Sequence, residues 1–433
     1  MRTTHRYSLK HPEKFKEQLL SWSQQFDDVV WLDSNNHNDK YSSYDAILAV
    51  DAFTSLKSDY HDAFGRLQEY QILTKDWVFG YLTYDLKNTT EELKSQNFDG
   101  LGFPDMYFFQ PKKLFLIKGN TLEMQYLKML DNELEDDISI ISSVAIQKQN
   151  EMPYKEKPIK IKLRIHKDEY FKKANKMLTH IQRGDIYEAN FCQEFYAEDS
   201  EINPLETFKK LNAISKPPYA TFLKVNDNYL LSASPERYIK KEGNTVISQP
   251  IKGTAKRSQS KTEDAQLAKD LSNDEKERSE NIMIVDLVRN DLSHTAEKGS
   301  VKVEELCKVY SFLQVHQMIS TISSKVSEAI NPIDILKTTF PMGSMTGAPK
   351  ISAMKIIEDI EETKRGLYSG SVGYFAPNGD FDFNVIIRSI LYNASKQYIS
   401  YSVGSAITAK SNPLKEYEEC LIKAKAMREV LEN

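Results

Sequence analysis

The stretch "NDNYLLSASPERYIKKEGNTVISQP", Asn226 to Pro250, decides the fold class. Its apolar residues come in short runs, and "EGN" supplies a tight turn, so it reads as two or three strands rather than a helix. Further on, "FDFNVIIRSILYNASKQYISYSVGSAI" reads as a hairpin, and "VVWLDS", "KKLFLIKG" and "DWVFGYLTYDL" add strand-like runs near the N-terminus, the last bent around Gly80. Helical periodicity is confined to separate blocks. In "HKDEYFKKANKMLTHIQRGD", Tyr170, Ala174, Met177, Leu178 and Ile181 share one face and Gly184 caps the end. "DEKERSENIMIVDLV", "PKISAMKIIEDIEETK" and "LKEYEECLIKAKAMREVLEN" give three more long helices. Strands and helices come in runs instead of alternating, which predicts an antiparallel α+β protein.

The 433 residues, 40% of them hydrophobic, exceed the usual single-domain length. We expect an N-terminal region over residues 1–160, contributing strands to a common body, and a catalytic region over 161–433. The charged "DNELEDDISIISSVAIQKQNEMPYKEKPIK" reads as a linker or surface crossing between them. The 57 basic and 62 acidic residues are interspersed, giving a net charge of -5, which argues against a nucleic-acid partner. The N-terminus lacks a signal-peptide apolar run, and no segment approaches the roughly 20 apolar residues of a membrane span. The three cysteines, 192, 307 and 420, lack the spacing of a zinc site or a disulfide framework. A cytoplasmic protein without a membrane partner is expected.

Several residues can carry chemistry. Glu277 with Glu280, and Glu416 with Glu419, are pairs three residues apart on predicted helices, so each pair shares a face. Two such helices converging would suit a hard cation such as Mg²⁺; the same spacing also fits two solvated faces. "FPMGSMTGAPKISAM" is a loop entering a helix near Pro349, where backbone N–H groups with Thr346 or Ser344 can receive an anion, or simply cap the helix. Arg388, inside the apolar run "NVIIRSI", needs either an acidic neighbour or a bound carboxylate. Glu236 follows the backbone-fixing Pro235. Lys252, in "QPIKGT", sits where Pro250 and Gly253 shape a turn; dry surroundings or another cation would make it a nucleophile. Glu188, Asn190 and Cys192 share a face of a strand expected to begin at Ile186. No G-x-S-x-G elbow is present.

Taken in order, "GDIYEANFCQ", "SASPE", "QPIKGTAKR", "SENIMIVDLVRNDL", "FPMGSMTGAPK", "RGLYSGSVGYF", "DFNVIIRS" and "EYEECLIKAKAM" resemble the chorismate-utilising enzymes. The similarity runs over roughly residues 165 to 430, with a fainter match at "WVFGYLTYDL". The resemblance implies large antiparallel sheets packed as a two-sheet core with helices outside, as in anthranilate synthase component I. It implies Mg²⁺ on Glu280 and Glu419, with Glu277 and Glu416 beside them. It also implies that Arg388 and Tyr368 hold the enolpyruvyl carboxylate of chorismate, with Thr346, Gly253, Thr254, Gly404 and Lys423 lining the pocket. Glu236 matches a general acid for the departing C4 hydroxyl. "PIKGT" is similar to the branch that forms aminodeoxychorismate, where this lysine is proposed to attack C2; anthranilate and isochorismate synthases look like "PIAGT". Anthranilate formation, or a silent glutaminase-binding subunit, are the alternatives. No part of the chain reads as an amidotransferase, so a separate glutamine amidotransferase subunit would supply ammonia. Three departures from the family pattern are Glu188 in place of Gln or Lys, Gln317 beside His316 in place of His, and Ser405-Ala406 in place of Ala-Gly.

Overall fold

In the computed structural model, which describes residues 2–37, 39–91, 93–145, 159–313 and 315–432, the Asn226–Pro250 stretch forms three strands. These are Asn228–Ser234, Arg237–Glu242 and Thr245–Gln249, the last two joined at Gly243, whose φ of 56° is the left-handed turn conformation that glycine adopts without cost. The first two do not pair with each other. Asn228–Ser234 lies between Tyr219–Val225 and Ser389–Asn393, whereas Arg237–Glu242 lies between Thr245–Gln249 and Phe381–Val385. The chain therefore crosses from one part of the sheet to another at Pro235-Glu236, where proline has no N–H to give a ladder.

A second crossing runs beside the first, between Phe381–Val385 and Ser389–Asn393. The two are stitched together by Val385 N–H to the Glu236 carbonyl at 3.0 Å and Ala233 N–H to the Arg388 carbonyl at 3.2 Å. This corrects two expectations. The hairpin in this region is only Ser389–Asn393 with Tyr398–Thr408, and Arg388 is not a strand residue: it sits in the crossing with φ 53°. The apolar run conceals the break because both flanking strands are buried.

Among the described residues twenty strands join one continuous sheet, and every ladder between them is antiparallel. The expected two layers are arms of this one sheet. Its hinge is the pair of 13-residue strands Ala46–Ser58 and Met106–Lys118, which pair along their length; one arm continues through Asp28–Asp33 and the other through Val78–Leu82. Between the arms, Val30, Ala49 and Leu223 pack in one cluster with Phe79, Ile239 and Phe383. A second cluster joins the outer face of the first arm, through Trp31, Phe195 and Ile390, to the helices Pro12–Trp22, Lys167–Arg183 and Pro413–Glu432. The α+β class is as read from sequence, and so are the four long helices, including Gly184 as the left-handed C-cap of Lys167–Arg183. Tyr170, Ala174, Met177 and Ile181 are buried on its inner face, and Leu178 is half-buried.

Strands from before residue 160 interleave with later ones, Asp28–Asp33 with Tyr219–Val225 and Val78–Leu82 with Ser371–Phe375. Part of the expected linker is folded: helix Leu134–Ser143 buries Leu134 and Ile141 in the cluster that holds Pro12–Trp22, so its three early acids mark a helix N-terminus. Residues 146–158 of that stretch lie outside the described residues. Gly80 does not mark a bend; it lets two strands approach, since a Cβ there would lie 2.0 Å from the Tyr107 carbonyl oxygen and 2.7 Å from the Phe108 Cα. Gly80→Ala is accordingly expected to lower unfolding stability by about 2 kcal/mol through overpacking. Urea denaturation checks this; an unchanged midpoint would contradict it.

Candidate functional site

One wall of the site is the strand Glu188–Ala197, beginning two residues later than the sequence suggested. Its alternation turns Glu188, Asn190 and Cys192 to one side, where Cys192 Sγ lies 3.7 Å from the Tyr368 hydroxyl and Asn190 Nδ2 is 3.8 Å from Met345 Sδ. Gly404 pairs with Cys192 on the neighbouring strand, and a Cβ there would stand 2.6 Å from Cys192 Sγ. The Lys423 ammonium donates to the Gly404 carbonyl at 2.9 Å. Ser405, one of the departures, spends its hydroxyl on Tyr170 at 3.2 Å.

Opposite stands Lys252. It lies on strand Ile251–Lys256, not in a free turn, at a break in register between Ile251 and Thr254 where Gly253 takes φ 98°. Asn281 fixes this bulge by donating to the Lys252 and Met318 carbonyls at 3.2 and 3.3 Å. The Lys252 ammonium reaches Glu188 Oε1 at 2.8 Å. Burial acts to lower its pKa, but the carboxylates of Glu188, Glu280 and Glu236 outweigh burial and hold it above the ordinary lysine value. The expectation of an amine loosened by another cation is thus reversed: the neighbours are acids, and the lysine rests as an ammonium. Thr254, two residues on, is exposed.

Glu236, 3% exposed, occupies the first sheet crossing. Burial pushes its carboxyl up to about 7, against the opposing pull of the Ser344 hydroxyl, the Ile251 N–H and Lys252. Ser344, rather than Thr346, is the loop hydroxyl that reaches an acid; Thr346 Oγ1 donates to the Gly343 carbonyl at 3.1 Å. Arg388, in the second crossing, is half-buried and makes no side-chain hydrogen bond or ion pair among the described residues. Desolvation lowers its pKa, with Tyr368 and Glu419 opposing, so an anion at this point would be gripped strongly.

Helices Glu275–Ser293 and Pro413–Glu432 bring the four glutamates toward one another. Lys276 lies between them, 3.7 Å from Glu280 and 3.3 Å from Glu416. Glu280 is 7% exposed, its Oε1 has no hydrogen-bond partner, and burial raises its carboxyl to about 7. Burial and the field of Glu419 also raise Glu277, while Glu419, which burial would raise, is held below its ordinary value by Lys423 at 2.5 Å. Among the described residues no three His, Cys, Asp or Glu side chains stand close enough together to hold a metal ion as they are placed. A buried carboxylate oxygen without a hydrogen-bond partner, with further acids on two neighbouring helices, is the all-oxygen donor chemistry that a hard cation such as Mg²⁺ takes.

The sequence reading overlooked the group that assembles these parts. Arg365, 6% exposed, donates to both Glu361 oxygens and to the Met345 and Asn190 carbonyls, and Glu361 accepts from the Cys192 N–H. An arginine opening "RGLYSG" beside two apolar segments was the available signal. Lys276 and Asn281 were likewise missed. His316 is committed to Asp264 and Ser311, at 3.0 and 2.8 Å, whereas Gln317 is buried with an unpartnered Oε1.

This geometry has close counterparts. Residues 7–429 match the model of the chorismate binding enzyme family, and the chain belongs to that family. It is 32% identical, over 82% of its length and 77% of the relative's, to aminodeoxychorismate synthase component 1 of Bacillus subtilis (strain 168). It is also 32% identical, over 82% of its length and 72% of the relative's, to an anthranilate synthase component I-like protein of Synechocystis sp.. The crystal structure of anthranilate synthase component I from Streptococcus pneumoniae TIGR4 superposes with a TM-score of 0.77 at 27% identity, covering 91% of this chain and 94% of that one. Among the described residues no helix is long and apolar enough to cross a membrane.

The burial of two carboxyls makes a spectroscopic prediction. Two protonated-carboxyl infrared bands, those of Glu236 and Glu280, should persist up to about pH 7 and disappear above it as these groups ionise. Glu236→Gln should remove one of them; an unchanged set of bands would refute the assignment.

Proposed function

We propose that this chain is the chorismate-aminating component of an aminodeoxychorismate synthase, forming 4-amino-4-deoxychorismate from chorismate and ammonia for 4-aminobenzoate and folate synthesis. The observation that carries the reading is Lys252, half-buried on a bulged strand, paired with Glu188 and within the field of Glu280 and Glu236. An alanine at this position could neither bond to the ring nor hold a charge there.

Arg388 and Tyr368 bind the enolpyruvyl carboxylate. Glu280 and Glu419, with Glu277 and Glu416 beside them, would hold Mg²⁺, which when bound grips the ring carboxylate and offsets its charge. Before it reacts, the Lys252 ammonium gives up a proton, and Glu188 at 2.8 Å is in place to accept it. The amine then bonds to C2, the ring double bond shifts, and the C4–O bond breaks as Glu236 delivers its proton, releasing water. Ammonia bonds to C4, the double bond returns and the C2–N bond breaks. The proton surplus on the new amine restores Glu236, so the atoms balance as chorismate plus ammonia to product plus water. A carboxyl with a pKa near 7 suits this exchange, being able both to give and to regain a proton at neutral pH. Glutamine would enter through a separate amidotransferase subunit, and free ammonium substitutes for it.

With chorismate, magnesium chloride and ammonium chloride, the protein is expected to yield a product that an added aminodeoxychorismate lyase converts to 4-aminobenzoate. Appearance of fluorescent anthranilate instead would contradict the proposal. Lys252→Ala should slow amination by about 10²-fold or more while chorismate still binds, since the group takes part in the chemistry rather than in recognition. Unchanged turnover would refute its role. At constant free ammonia, turnover should fall as pH rises through about 7, where Glu236 loses the proton it must deliver.

A further inference from the structure

Resting on the metal reading of the four glutamates, a further inference concerns the lysine that stands among them. Lys276 lies in the first turn of helix Glu275–Ser293. Its ammonium meets Glu416 Oε1, on helix Pro413–Glu432, at 3.3 Å and Glu280 Oε1, on its own helix, at 3.7 Å. Burial acts to lower its pKa, but the carboxylates of Glu280, Glu416 and Glu277 outweigh burial, so the group rests as an ammonium. These are three of the four acids assigned to Mg²⁺. Lys423, which pairs with the fourth, Glu419, is also tied to the Gly404 carbonyl at 2.9 Å. Lys276 has no partner outside the acids among the described residues. With its side chain 38% exposed, its flexible stem can carry the charge out to solvent.

We propose that Lys276 is a built-in counter-cation of the metal site: a divalent cation must displace its ammonium from the carboxylates of Glu280 and Glu416, so that this one residue sets how tightly the site takes its metal. The Glu280 and Glu416 side chains are only 9% and 3% exposed, and a buried carboxylate left without a positive neighbour is costly. Lys276 meets that need and bridges the two helices. Mg²⁺ takes oxygen ligands at about 2.0–2.1 Å, so an ammonium kept on the same oxygens would stand directly against it. In partly buried surroundings the repulsion between the two is poorly screened. One cation therefore replaces the other, and the helices stay bridged throughout. Expelling Lys276 weakens metal binding by the free protein. A carboxylate brought by the substrate adds negative charge to the site and offsets that cost.

The test is Mn²⁺ binding to the full chain at pH 7, read from the electron paramagnetic resonance signal of free Mn²⁺, for wild type, Lys276→Gln and Lys276→Arg. Removing a positive charge that opposes a divalent ion predicts about tenfold tighter Mn²⁺ binding by Lys276→Gln. Lys276→Arg, which keeps the charge, should bind it no tighter than wild type. Thermal unfolding gives a second readout. Without divalent cations Lys276→Gln should melt below wild type, because its carboxylates have lost their positive neighbour, and magnesium chloride should raise its Tm by more than that of wild type. Far-ultraviolet circular dichroism shows that each variant is folded. A dissociation constant in Lys276→Gln tightened by less than about threefold, or weakened, overturns the role given to Lys276, as does equal tightening by both variants. Absence of Mn²⁺ binding by all three proteins, with chorismate as well as without it, overturns the metal reading itself, so the two failures are distinguishable.

Discussion

The site depends on one buried ion pair. Arg365 and Glu361 are both nearly inaccessible, and together they fix the Asn190 carbonyl, the Cys192 N–H and the Met345 carbonyl. These groups belong to a strand of the first arm and to the loop that leads into helix Lys350–Ile360. A buried pair is no guarantee of net stability, because desolvation offsets much of the attraction. Its value here is registration: with five hydrogen bonds from one guanidinium, the loop carrying Ser344 and the strand carrying Glu188 cannot slide independently. The catalytic groups lie on separate elements, so their spacing requires such a tie.

A second constraint is the double crossing at Pro235-Glu236 and Ile386–Arg388. Because the sheet folds over through two long strands, the chain must pass between its arms, and it does so twice at the same place. Backbone released from ladder pairing at such crossings leaves side chains free to face a cavity. An acid and an unpaired guanidinium occupy these two positions. Glu236 and Arg388 thus sit on two stretches of chain whose backbones hydrogen-bond to each other's neighbours.

Much of this was legible in the sequence. The antiparallel class, the long helices and the glutamate pairs follow from periodicity, because each is set by local pattern and burial of one face. The roles of Lys252, Glu236 and Arg388 were not readable from their neighbours alone; a turn lysine and an exposed acid give the same local signal, and only the ordered set of eight motifs singled them out. What the sequence hid is long-range. The break at Arg388 lies within an apolar run, the folded helix Leu134–Ser143 hides in a charged stretch, and the partners of Lys252 and Arg365 lie 64 and 4 or more positions away in the chain. The sign of the Lys252 shift could not be guessed either, since it depends on three carboxylates that only the fold assembles.

The central claim is that the Lys252 amine faces the ring of chorismate between Glu188 and Glu236. A crystal structure with magnesium and chorismate, without ammonium, tests it most directly. The account predicts the enolpyruvyl carboxylate on Arg388, the ring carboxylate toward Glu280 and Glu419, and Lys252 Nζ about 3–3.5 Å from C2 or already bonded to it. A ring bound beyond the reach of Nζ, with Lys252 still turned to Glu188 alone, would contradict it.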